Sequence, residues 1–218
     1  MRTAQIGLLL ALLSAFVTSA ASAATPVKVF DNSTTFTTGP NTPNGYWPFN
    51  IFLPGEPMGD QVTLAGSNRT VTRFDLLVSS YQPTVLQDLS ISFYGYDAAN
   101  DLPTEFIWQT SLSNISVNGP TIVSFDVPQV TVPDSFVWLA SCDNNFAGWM
   151  TCDPPTIGSS TKDYWDLDPT GLGWFRLNLG PEQLGNFGAT VWAVPEPATL
   201  TILCVGAIVA VCRRTSRH

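Results

Sequence analysis

Histidine is nearly missing from this chain: of 218 residues only His218 is one, and it is the last. Without a second histidine, Ser-His-Asp and Cys-His nucleophilic mechanisms and histidine-ligated zinc are excluded from everything upstream. Charge is also scarce, at 12% of residues. Positive charge is scarcest: between residues 24 and 194 only Lys28, Arg69, Arg73, Lys162 and Arg176 stand against 16 acids, a balance of −11. That sign repels phosphate backbones and excludes nucleic acid as a natural partner. Long helical periods are absent too, so parallel α/β architectures, which need crossover helices, are ruled out.

Cysteine is limited to four residues, and Cys204 and Cys212 fall in an apolar terminal run. Cys142 and Cys152 remain, within "ASCDNNFAGWMTCD". In an oxidising compartment a bridge closing this short loop would add on the order of 3 kcal/mol, and it is the expectation here. Two half-buried free thiols are the alternative.

What the chain does contain begins with Arg2, a 12-residue apolar stretch from Ile6 to Val17, and the small residues Ala21-Ser22-Ala23. This is the pattern of a secretory signal peptide over 1–23, cut by signal peptidase between Ala23 and Ala24. The apolar stretch falls short of the roughly 20 residues needed to span a bilayer.

Residues 24–193 alternate β-branched and aromatic residues with polar ones over short runs broken by Gly, Pro, Asn and Asp. This predicts a single all-β domain, a β-sandwich or jelly roll, with no cofactor. In "LSISFYGYD" the residues Leu89, Ile91, Phe93 and Gly95 share one face. In "RTVTRFDLLVSSY" the residues Phe74, Leu76 and Val78 share one, with Val71 assigned to the other. Such alternation marks half-buried strands.

Of seven tryptophans, Trp108 and Trp138 lie in apolar strand patterns and are expected in the core, whereas Trp47, Trp149 and Trp165 lie near turns and are the candidates for a surface that stacks on sugars. In "KDYWDLDPTGLGWF" the acids Asp163, Asp166 and Asp168 are a weak calcium candidate. Leu177 stands where the bidentate glutamate of a calcium loop belongs, so turn chemistry is preferred and no metal is assigned. Glu56, Glu105 and Glu182, with the many aspartates, leave a carboxylate-based glycosidase conceivable without ranking any pair, and no catalytic residue is assigned. Asn32-Ser33-Thr34, Asn68-Arg69-Thr70 and Asn114-Ile115-Ser116 fit the glycosylation triplet.

The chain closes on Val194-Pro195-Glu196-Pro197, an apolar segment over 198–212, and a basic tail over 213–218 with Arg213, Arg214 and Arg217. As a helix, 15 residues measure about 22 Å against a hydrocarbon core of roughly 30 Å. Arginines at its end would hold it on the cytoplasmic side, which reads as a short stop-transfer transmembrane helix.

These three parts in this order resemble the PEP-CTERM sorting signal of bacterial exported proteins, a tail also described as an ice-binding protein carboxyl-terminal domain. The resemblance implies an exosortase-like processing enzyme acting on the tripeptide. It also implies an inner-membrane-anchored precursor that goes on to the cell surface or the extracellular matrix. Its partners would be signal peptidase, the exosortase, the membrane and extracellular polysaccharide. Through "GDQVTLAGSNRTVTRFDLLVSS", "VPDSFVWLAS", "DPPTIGSSTKDYW" and "NFGATVWAVPEP" the body resembles a recurrent exported type that carries this tail, which implies an all-β domain and no particular activity. The expected function is therefore a non-enzymatic structural or adhesive component of the surface, with a carbohydrate-binding module or a glycosidase as alternatives.

Overall fold

A computed structural model describes residues 24–34, 55–168, 173–177 and 186–195. The expected signal peptide, Trp47, Glu182, Glu196, Pro197, the apolar segment 198–212 and the arginines beyond it lie outside the described residues. Thirteen strands occur among the described residues, with no helix between them: β1 Val27–Asp31, β2 Met58–Thr63, β3 Thr70–Ser80, β4 Thr84–Leu86, β5 Leu89–Asp97, β6 Leu102–Leu112, β7 Ile115–Val117, β8 Thr121–Thr131, β9 Ser135–Cys142, β10 Ala147–Trp149, β11 Ser159–Leu167, β12 Trp174–Leu177 and β13 Ala189–Val194. The body is all-β.

Two sheets carry the fold. One runs β1-β13-β3-β10 with β8 on the far side of β3, and the other runs β12-β11-β2-β9-β5-β6. A two-stranded ribbon, β4-β7, is separate. Every recorded pairing is antiparallel.

Strand formation follows the sequence periods. In β5 the residues Leu89, Ile91, Phe93 and Gly95 are buried, and the intervening Ser90, Ser92, Tyr94 and Tyr96 are half-exposed. β8 buries Val123, Phe125 and Val127 and exposes Ser124 and Asp126. β3 departs from strict alternation: its register slips between Val71 and Arg73 against both neighbours. The bulge turns Val71 into the core beside the parity of Phe74, correcting the expected assignment, because an extra residue on one strand exchanges its faces.

The sheets meet through aromatic rings. Phe74 of β3 lies 5.6 Å from Phe93 of β5 and 5.3 Å from Trp138 of β9, centroid to centroid. Phe93 contacts Phe136 at 5.1 Å and the half-buried Trp108 at 5.1 Å. Trp138 thus occupies the core position expected of it, whereas Trp108 packs half-buried against that core. The rings are tilted or edge-on to one another and avoid the face-to-face sandwich that aromatic quadrupoles disfavour.

β9 is buried on both sides. Val137 and Leu139, directed away from the main core, join Trp165 in a second apolar cluster, with Tyr94, Tyr96, Leu167 and Trp174 packed against it. Trp174 of β12 reaches within 4.8 Å of Tyr94 of β5, although β11, β2 and β9 lie between their strands. The six-stranded sheet must coil strongly for these rings to touch. At Gly59, register partner of both Leu139 and Trp165, an added Cβ would stand 1.9 Å from the Trp138 carbonyl oxygen, so only glycine fits.

Candidate functional site

β13 is the last strand of the body and leads directly into the proline-bracketed glutamate. Its apolar alternation (Ala189, Val191, Ala193) sits in the core. The chain is held from both sides: Ala193 pairs with Val27 of β1 and with Val71 of β3, and the final rung is Val194 with Thr70. The body's first and last strands are therefore neighbours, and Val27 lies three residues after Ala24 of the expected signal-peptidase site.

The outward residue of β13, Trp192, organises a small charged network. Its Nε1 donates to Asp75 Oδ2 at 3.0 Å, and Arg73 Nε donates to Asp75 Oδ1 at 2.7 Å. The Lys28 ammonium and the Arg73 guanidinium lie 5.4 and 5.7 Å from the indole centroid. Cation–π contacts and a shared carboxylate thus tie β1, β13 and β3 together next to the motif.

Lys28 also bonds Asp31 at 2.6 Å. Burial alone would raise the Asp31 carboxyl, but Lys28 and two bonds from Ser33 bring it below the usual carboxylate range. Asn32 is fully buried. Its side chain donates to the Phe187 carbonyl at 2.8 Å and accepts from Ala189 N–H at 2.6 Å. It clamps the start of β13 and does not present an amide to solvent, which removes it as a glycosylation acceptor.

The surface-aromatic expectation is corrected for two of its three residues. Trp149 and Trp165 are 0% and 1% exposed. Trp149 ends β10 within the main core, and Trp165 is covered by Trp174 at 6.3 Å and by the Arg176 guanidinium at 5.9 Å. Nearness to a turn misled because both tryptophans stand on strands: Trp149 on β10 against the main core, and Trp165 on β11 beneath residues of β12.

The bridge expectation is corrected as well: Cys142 and Cys152 are two free, buried thiols. Cys142 ends β9 in the main core, whereas Cys152 follows β10 and packs with Leu77 and Met150. Sequence nearness gave them reach, but the intervening β10 crosses to the other sheet and takes Cys152 with it. Burial pushes Cys142 up to about 11 and Cys152 up to about 12, so neither is a thiolate at neutral pH. Native protein treated with iodoacetamide at pH 8 is expected to leave both unmodified, and denaturation without reductant to expose both; peptide mapping that finds either locked in a Cys142–Cys152 bridge would refute this.

The acids Asp163, Asp166 and Asp168 do not all converge: Asp168 is near enough to Asp166 to raise its carboxyl, whereas Asp163 stands apart. Asp163 and Asp166 stand an odd number of residues apart on β11 and project to opposite faces. Asp163 Oδ2 accepts from Arg176 Nε at 2.7 Å, and Asp166 is buried on the side of Tyr164. Arg176 also pairs with Asp101, which accepts from Tyr96 Oη. Among the described residues no group of three or more metal-ligating side chains occurs.

Two carboxyls have environments that composition did not disclose. Asp60 is fully buried and raised well above the usual range, by burial first and then by the Asp153 carboxylate, against the opposing Phe187 N–H. Asp166 is pushed up to about 7 by burial and by Glu56. Parity could have found Asp60, which shares the face of Met58 and Val62 in "MGDQV".

Among known proteins, the PEP-CTERM protein-sorting motif matches residues 193–217. No curated protein and no solved structure matches the chain.

Proposed function

From the sorting motif at residues 193–217 we propose that the chain is an exported surface protein, made as a membrane-anchored precursor and processed by an exosortase. That match is the observation that carries the reading. Its β-sandwich body then serves as a non-enzymatic structural or adhesive component of the cell surface or the extracellular polysaccharide matrix.

Three features support a passive body. The residues between 24 and 194 include no histidine. Among the described residues the two raised carboxyls, Asp60 and Asp166, are 0% and 4% exposed. Its two free thiols are buried and protonated.

Intact-mass measurement of the mature protein from its native host tests the proposal. The expected species starts at Ala24 and ends near Pro195, Glu196 or Pro197. A mature form that retains the tail through His218 would overturn it.

A further inference from the structure

The sorting motif has no spacer in front of it. Val194, the last residue of β13, is paired with Thr70, and Pro195 follows it directly. One residue earlier, Ala193 is paired on both edges, with Val71 and with Val27. Thr70 is itself 2% exposed and paired onward to Thr131 of β8, so the rung is part of a continuous ladder.

Enzymes that read a linear motif bind it extended, and main-chain hydrogen bonds to residues flanking the motif supply much of the grip. Here the upstream flank already spends those groups on β1 and β3. Only Pro195, which has no backbone N–H to offer, separates Glu196 from the ladder. The Trp192 network described above fastens the same rungs from the outer face of the sheet.

Resting on the sorting function just argued, we propose that the folded body restrains its own processing. The last rungs of β13 must open before the enzyme can seat the chain upstream of Glu196, so rung opening sets the rate of cleavage. The bond change itself is unaltered: the new carbonyl passes to water or to an acceptor nucleophile, and the amine leaves with the tail. What the ladder controls is access, and it holds a fully folded precursor at the membrane longer than an open one.

Pulse–chase of the full-length precursor in its native host tests this with two variants. A six-residue Gly-Ser insertion between Val194 and Pro195 leaves every strand intact and frees the upstream flank. It is expected to speed loss of the tail by at least about threefold. Variant T70C/V194C places a disulfide across the final rung, where paired Cα atoms stand about 5 Å apart, within bridging range. Its cleavage is expected to be slow while oxidised and to recover on reduction, with wild type treated alike as the control.

Equal rates for wild type and the insertion, or a slower insertion, would overturn the restraint, as would equal rates for the oxidised and reduced bridge. Loss of the tail from none of the precursors would instead overturn the sorting function, and the restraint with it.

Discussion

Replacing Phe74 by alanine is expected to cost about 4 kcal/mol of stability, as buried Phe→Ala changes do when the site cannot collapse. Phe74 is fully buried on the central strand of its sheet and touches both Phe93 and Trp138 of the opposite sheet. Truncation therefore removes the ring through which the two layers meet, and rings on both sides lose their neighbour. Neither Phe93 nor Trp138 is free to fill the space, since Phe93 is held by Phe136 and Trp108, and Trp138 by Phe187 at 6.3 Å. For a body of this length the loss corresponds to a fall in Tm of roughly 10 °C. Urea unfolding with an unchanged m value is the direct measurement. A loss under about 1 kcal/mol would mean that the sheets do not depend on this contact.

Much of this architecture is legible in the sequence because strand periodicity is local. The buried faces of β5 and β8 are written in every second residue. The bulge in β3 is not, because an inserted residue leaves the composition of a strand unchanged while exchanging its faces. The differences at Trp149, Cys142 and Cys152 share one cause. Each was placed by distance along the chain, and distance along the chain carries no information about which sheet the next short strand joins. β10 has three residues, yet it separates the two cysteines between layers. The sorting motif is the opposite case: it is meant to be read as a linear string, so three parts in order suffice to find it. Its attachment to a doubly paired strand is a property of the fold and needs the register of β1, β13 and β3.

Asp60→Asn is expected to stabilise the body at neutral pH and to leave it nearly unchanged at pH 4. Asp60 Oδ2 accepts the Phe187 N–H at 3.0 Å, while Oδ1 has no hydrogen-bond partner and no contact with water. Burial therefore holds the carboxyl protonated in the folded state well above the range of an unfolded aspartate, near 3.9. The sign follows from proton counting. Below about pH 4 both states are protonated, and Asp60 costs nothing extra. As pH rises, the unfolded chain releases the proton while the folded chain keeps it, so stability falls until the folded pKa is passed.

Asparagine keeps the acceptor for Phe187 and has no charge to lose, so it removes this slope. The gain at pH 7 should be about 2 kcal/mol, because stability falls by about 1.4 kcal/mol for each pH unit over which only the unfolded chain has released the proton, and Tm should rise by roughly 6 °C. Asp166, raised to about 7 beside Glu56, contributes a slope of the same sign between about pH 4 and 7. D60N should therefore flatten the pH profile only in part, and D60N/D166N should flatten it further. Thermal melts of the three proteins from pH 4 to pH 8 separate these shares. A gain from D60N that is equal at both ends, or a loss at pH 8, would show that the folded body does not hold Asp60 protonated.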